Sequence, residues 1–337
     1  MKPRCHLILC LVLCVCMLLT PCAMAAEALE GVEQECTTTQ ELVCDVKGNF
    51  WLMPACYPVR DLTPEQQELL LKGGVCKKVD YLIKDTRQNK EIIWDYLYEK
   101  FHNAYGVAGL MGNIYLESGF SPTNLQGTYE RKFGMSDWEY TRAVDNGTYG
   151  NFVYDSAGYG LVQWTWWSWK AELLQFARSR GTSIGDMNTQ LELLYRQLSN
   201  HSSNVYNNIL YAKDVRQSAV SVMLDFEKPG NQSWAAQQNR TNAGIDVYHE
   251  LAYRAEMIDS LPQYIERLCQ QAEEELVAQA ELRVMIMMAQ AGRERLEAQR
   301  AEEEALNRRV EELRQNMNNV LTVIVATLEN ATEIAAE

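Results

Sequence analysis

The stretch VAGLMGNIYLESGF, Val107–Phe120, decides how this chain is read. Val107, Leu110, Ile114 and Glu117 follow one another at spacings of three, four and three, so they share one face of a helix. A carboxylate stands where that pattern calls for an apolar side chain. Gly119 and Pro122 then stop the helix, which places Glu117 in its last turn, at the rim of whatever the helix packs against. Desolvation at such a rim would keep a proton on the carboxyl at neutral pH, the state a general acid needs. The plainer reading is a glutamate turned out to solvent, and the helical pattern alone does not separate the two.

About forty residues on comes AGYGLVQWTWWSW, Ala157–Trp169. Taken with GNIYLESGFSP and the intervening GMSDWEYTRAVDNGTYGNFVYDS, it resembles the phage tail tip lysozyme family. More distantly it is similar to goose-type lysozymes and lytic transglycosylases, where a Glu-Ser pair precedes a Gly-Leu-x-Gln turn. The resemblance runs from about Ile92 to Tyr248 and takes in FEKPG, Phe226–Gly230, and the spaced Ala236, Arg240, Ala243 and Tyr248. It implies a mainly α, lysozyme-like α+β domain that cleaves the β-1,4-linked sugar backbone of peptidoglycan.

Cleaving a glycosidic bond requires an acid that protonates the departing oxygen while positive charge builds on the sugar ring. Glu117 is the candidate. For a second carboxylate, Asp137, Asp145 and Asp155 all fall between the Glu motif and the Gly-Tyr-Gly turn. Asp155 ranks first because it directly precedes Ser156-Ala157-Gly158, although an aspartate there equally suits a turn that bonds its own backbone. A carboxylate opposite Glu117 would open a hydrolytic route; without one, Glu117 would act as acid and then base while the muramyl 6-hydroxyl attacks. Gly158 and Gly160 would let backbone approach a sugar, Gln163 would donate to an acetamido carbonyl, and Ser118 would orient Glu117. Tyr159, Trp164 and Trp166 offer flat faces for pyranose rings, against the usual fate of clustered aromatics, which is core. Glu227 reads as a structural salt bridge or cap.

The 337 residues carry a net charge of −14, much of it beyond residue 254, with no basic patch, which argues against nucleic acid as a partner. Residues 1–25 read as an export signal: Lys2 and Arg4, the apolar run Leu7–Leu19, and Ala23-Met24-Ala25 as the processing site. The run is too short for a stable span, so the expectation is a secreted or wall-located protein. Cleavage would leave Cys36, Cys44, Cys56 and Cys76 as candidates for two disulfides with three open pairings, and Cys269 over. Neither Cys-x-x-Cys spacing nor His-Glu-x-x-His is present, the four histidines are scattered, and there is no phosphate-cradling glycine loop, so no metal and no cofactor are expected.

Four segments follow. Residues 1–25 are the signal, and 26–85 a small cysteine-containing N-terminal region with a helix at Pro64–Leu71 capped by Thr63. Residues 86–254 form the lysozyme-like domain, helical except for turn- and aromatic-rich text between Asn124 and Tyr159 that predicts a small β/turn lobe. Residues 255–337 form a C-terminal long-helix coiled coil or hairpin, joined at a weak point near Arg293–Glu304. It is expected to self-associate or take partner helices through Leu306, Val310, Leu313, Met317, Val320 and Ile324. The function expected from the whole is an exported muramidase-type glycosidase. An export signal departs from the habit of a tail component and points to local wall remodelling by a conjugation, secretion or phage-related apparatus. The competing readings are a lytic transglycosylase and a non-enzymatic, glycan-binding coiled-coil scaffold.

Overall fold

The computed structural model describes residues 40–334, with side chains to residue 326. The signal at residues 1–25 and Cys36 lie outside the described residues. The described chain begins with a small sheet of four strands, β1 Glu41–Cys44, β2 Phe50–Met53, β3 Tyr57–Val59 and β4 Lys77–Lys78, in the order β3-β2-β1-β4. The first three pair antiparallel and β4 joins β1 in parallel. Period-two alternation sends Leu42, Cys44, Phe50, Leu52, Tyr57 and Val59 into the main core, while Val43, Cys56 and Ile83 form a small cluster of their own.

Among the described residues none of the expected disulfides is formed. Cys44, Cys56 and Cys76 are free thiols. Cys56 belongs to the small cluster, away from Cys44 and Cys76, which are buried among the main apolar side chains. Burial pushes Cys76 up to about 12 and raises Cys44 as well, so both serve as small apolar core groups rather than reactive thiols.

Helix α1, Pro64–Lys72, starts as its sequence requires: Thr63 accepts from the Gln66 amide, and the Gln66 side chain accepts from the Thr63 amide. The body that follows is helical: α2 Asn89–Phe101, α3 Ala104–Ser118, α4 Gly127–Phe133, α5 Asp137–Asp145, α6 Trp167–Arg180, α7 Met187–His201, α8 Ser203–Leu210 and α9 Val215–Ser221. A π-helical turn, Val222–Glu227, continues α9, and α10 runs from Trp234 to Ile334.

The expected β/turn lobe between Asn124 and Tyr159 is instead two short helices, with strand pairing reduced to isolated bridges from Tyr159 to Leu125 and Trp164. Ser136 and Glu139 form a capping box, and Tyr140 and Val144 then fall four apart on the buried face of α5. Rings hold this lobe together: Tyr140 contacts Phe133, Tyr149, Phe152 and Tyr159 at centroid distances of 5.3–6.2 Å.

Helix α10 is the longest element and crosses residue 254 without a break. Pro262 removes one amide donor but does not end it. Met257, Ile258, Ile265 and Ala272 around it are buried, which holds the helix across the defect. Further back, the buried Arg254 grips Asp95 of α2 through Nε–Oδ1 at 2.6 Å and Nη2–Oδ2 at 2.5 Å, and Arg87 adds a third contact to the same carboxylate at 2.8 Å.

Helices α8, α9 and α10 approach α3 closely because α3 offers glycines where side chains would collide. A Cβ on Gly106 would sit 1.9 Å from the Ile209 carbonyl oxygen, one on Gly109 2.6 Å from the Ala219 nitrogen, and one on Gly112 2.4 Å from the Arg240 carbonyl oxygen. Gly244 of α10 answers them, a Cβ there meeting the Ala108 carbonyl oxygen at 2.8 Å. Backbone cannot yield as a flexible side chain can. Gly112→Ala is therefore expected to lower stability by about 1–3 kcal/mol in urea unfolding, as overpacking does. Gly150→Ala, which meets nothing within 4 Å, should leave the urea midpoint near wild type.

Candidate active site

Helix α3 carries Glu117 to its end. Asn103 caps the start, accepting from the Gly106 amide at 2.9 Å and donating to the Leu210 and Ala212 carbonyls. At the other end Gly119 is left-handed, with φ +60°, and its amide closes on Tyr115. Ser118 is buried, its hydroxyl 2.8 Å from the Leu161 carbonyl and 3.0 Å from that of Ile114. It ties the last turn of α3 to the Gly-Tyr-Gly-Leu segment, so the two sequence motifs meet through this hydroxyl. The hydroxyl hydrogen of Ser118 is thus taken up by protein carbonyls.

Glu117 is not surrounded by apolar groups alone. Its side chain keeps 22% of its surface exposed, and Arg240 of α10 donates to it from Nη2 at 2.5 Å. Behind the arginine lies Glu227, the last residue of the π-helical turn, whose side chain is only 4% exposed and stands 3.7 Å from the same nitrogen. Neither oxygen of Glu227 is otherwise hydrogen bonded, and neither is Arg240 Nε. Burial raises Glu227 well above the ordinary carboxyl value, the charge on Glu117 adds to this, and Arg240 opposes it. The carboxyl raised by its surroundings is thus Glu227, while Glu117 accepts from the nearly covered guanidinium of Arg240. Glu117 therefore has an ion-pair partner as well as apolar neighbours, and Glu227, read from the sequence as a salt bridge or cap, stands within ion-pair distance of the same arginine.

The π turn explains how Glu227 arrives there. The Lys228 amide bonds the Met223 carbonyl at 2.9 Å, one residue further back than in an α-helix, and Lys228 itself is left-handed at φ +52°. Arg240 had a readable signal: Ala236, Arg240, Gly244, Val247 and Leu251 form a stripe of buried helix into which a cation intrudes.

Asp155 does not face an open site. Its side chain is 1% exposed and pairs with the wholly buried Lys170 at 2.5 Å. It also accepts from the Tyr140 and Tyr149 hydroxyls at 2.5 and 3.1 Å and from the Ala157 amide at 2.9 Å. Burial lowers Lys170, and the adjacent Asp155 offsets part of that. The other two aspartates are engaged as well: Asp137 accepts from the Leu125 amide, and Asp145 from Ser183 and the Ile184 amide.

The Gly-Tyr-Gly-Leu-x-Gln segment is likewise inward. Tyr159 is buried with its hydroxyl 2.6 Å from that of Thr141, and Trp164 is buried with its indole donating to Gln197 at 2.8 Å. Gly158 and Gly160 leave room for protein groups: a Cβ would meet Gln163 Oε1 or Gln190 Oε1 at 2.7 Å in each case. Gly160 also takes φ +80°, a second reason for its identity. The Gln163 amide donates to the Asn124 carbonyl and side-chain oxygens at 3.0 and 2.9 Å. Of the aromatic candidates only Trp166 is exposed, and beside it in sequence Trp167 stacks with Tyr154.

Residues 88–251 match the family model for phage tail lysozyme. That stretch belongs to the phage tail lysozyme family. It covers α2 through the first turns of α10, and with them Glu117, Glu227 and Arg240. No curated protein matches the chain. The body is mainly α and lysozyme-like, with its small sheet placed before the matched segment.

A titration tests the charge assignment. Because Glu227 is raised in the folded state, the stability it contributes is complete below its unfolded value near 4.5 and is lost as pH rises through the folded one. Glu227→Gln removes this titration. The gap in urea midpoint between Glu227→Gln and wild type should therefore move in favour of the variant as pH is raised from 4.5 into the alkaline range. Parallel pH profiles for the two proteins would contradict the assignment.

Proposed function

We propose that the segment of residues 88–251 cleaves the glycan strands of peptidoglycan at the β-1,4 bond after N-acetylmuramic acid, with Glu117 as the general acid. The observation that carries this reading is the Glu117–Arg240–Glu227 cluster within a phage tail lysozyme segment. Burial raises the inner carboxyl, Glu227, well above its ordinary value, so a proton in this cluster would rest there. A proton on Glu227 gives that residue a donor facing Glu117. As a sugar docks and further desolvates Glu117, transfer from Glu227 would make Glu117 the acid that protonates the departing oxygen. When the bond breaks, Glu117 is a carboxylate again beside Arg240, whose charge stabilises it.

No aspartate between the two motifs supplies a base opposite Glu117, since all three are held by protein donors. Glu227 is too deeply buried to reach a sugar from the other face. This favours a second reading of the same site, in which Glu117 acts first as acid and then as base. In that route O6 of the muramyl sugar attacks its own C1, the bond from C1 to the leaving oxygen breaks with the proton of Glu117, and Glu117 takes the proton from O6. The product would be a 1,6-anhydro end rather than a reducing one. Exposed Trp166 is the remaining ring from the sequence motif that suits a sugar face. Export through residues 1–25 and a role in local wall remodelling belong to this reading too.

Glu117→Gln should reduce release of soluble fragments from purified peptidoglycan by at least about 100-fold, the usual worth of a general acid, without loss of folding. Undiminished activity in that variant would remove Glu117 from the chemistry. Mass spectrometry of fragments from the wild-type protein distinguishes the routes, because anhydro ends weigh one water less than reducing ends.

A further inference from the structure

Beyond Ala272, helix α10 leaves the body of the protein. From Val277 to Ala326 every residue is exposed, about 75 Å of helix at 1.5 Å per residue, in an element that continues to Ile334. Leu282, Met285, Leu296, Leu306, Val310 and Leu313 are each about half exposed or more. A rod with such a stripe cannot cover it with its own body.

The stripe has one register throughout. Leu261, Tyr264 and Leu268, which lean on the core, begin a series that alternates three and four residues. It passes through Gln271, Glu275 and Ala278, which carry little apolar surface, and continues as Leu282, Met285, Ala289, Gly292, Leu296, Gln299, Glu303, Leu306, Val310, Leu313, Met317, Val320 and Ile324. The charged text near Arg293–Glu304 does not interrupt it. Only Gln299 and Glu303 place polar groups on the seam there, and the helix passes through unbroken. The residues that built the N-terminal packing surface thus extend, in phase, into an uncovered seam.

The flanks of that seam carry a consistent sign. Positions adjoining it hold Arg293, Arg300 and Arg314 on one side and Arg295 and Arg309 on the other, five arginines against two acids, Glu281 and Glu302, both on the second side. The remaining glutamates, such as Glu294, Glu297, Glu304 and Glu311, fall on the outer face. Arg314 does meet Glu311 at 3.6 Å, but both are highly exposed, and such pairs contribute little. A second copy in parallel would set Arg295 against Arg300 and Arg309 against Arg314. An antiparallel copy would bring together the flank whose only charges are arginines. Like charges meet on the arginine flank in the antiparallel orientation and across the seam in the parallel one, and both work against self-pairing.

We infer that the seam Leu282–Ile324 docks a helix of a different protein, one with an apolar stripe flanked by acidic residues. The arginine flanks select this partner by charge while the leucine, valine and methionine seam supplies the buried area. This goes beyond the lytic reading and does not depend on it: the segment would tether the enzyme to its place of work whatever bond it cleaves.

The test uses the full chain and two synthetic helical peptides of about six heptads with the same leucine–isoleucine seam. One carries glutamate at every flanking position and the other lysine. Light scattering of the full chain alone should give a monomer, and calorimetry should show the glutamate peptide binding at least about tenfold more tightly than its lysine twin. Changing Arg295, Arg300, Arg309 and Arg314 together to glutamate should reverse that preference, and it leaves the enzyme body untouched as an internal check on folding. Equal affinity for both peptides, binding of neither, or a stable oligomer of the full chain that persists through the charge reversal would each overturn the inference.

Discussion

The close approach of α3 and α10 is the constraint on which the rest of this structure depends. Two helices whose facing positions held ordinary side chains would stand 8–10 Å apart. Here Gly112 lies against the Arg240 carbonyl and Gly244 against that of Ala108, so backbone meets backbone. That contact fixes the azimuth of α10 and aims Arg240 at the last turn of α3, where Glu117 waits. A packing choice made by glycines thereby becomes an electrostatic one. The same rigid contact lets α9 end in a π turn whose final residue, Glu227, is pressed behind the arginine.

Burying three ionisable groups together is unfavourable unless their charges and protons are arranged to compensate. The protein resolves this by uneven burial. Glu117 keeps part of its surface in water, Arg240 is nearly covered, and Glu227 is closed off, its carboxyl raised by burial. Elsewhere the chain buries charge in balanced form: Arg254 and Arg87 on Asp95, and Lys170 on Asp155 with two tyrosine hydroxyls in support. Those clusters satisfy their oxygens with fixed donors. The Glu227 carboxyl and Arg240 Nε are left with unused hydrogen-bonding capacity, and that contrast separates a site from a strut.

The Gly-Tyr-Gly-Leu-x-Gln segment has a structural part in this scheme. Its glycines admit glutamine side chains from the protein, its tyrosine and first tryptophan enter the core, and its backbone receives Ser118. It acts as a brace that holds the end of α3. The N-terminal sheet and α1 act similarly on α10: Gly73 lies against Ala272, close enough that a Cβ would meet it at 2.5 Å. Past that contact, among the described residues, the helix is exposed from Val277 to Ala326, and its apolar register continues there.

Local physical chemistry made much of this legible from residues alone. The helices that end at Gly119 and Gly181, the Thr63 cap, the stripes of α3 and α7 and the long terminal helix all follow from spacing and capping that neighbours a few positions away determine. The sequence also marked Glu117 as out of place on its helical face. What it could not decide were relations between distant segments. Aromatic, turn-rich text between Asn124 and Tyr159 is as compatible with strands as with two short helices sealed by ring contacts, and the tertiary cluster chose the latter. Pro262 breaks a lone helix but not one clamped on both sides. Whether Asp155 or Glu227 belonged with Glu117 depended on which carboxylate found a lysine and which an arginine, 123 residues apart in the Glu117–Arg240 pair. Burial and partnership are properties of the folded whole, because desolvation is imposed by chain that arrives from elsewhere.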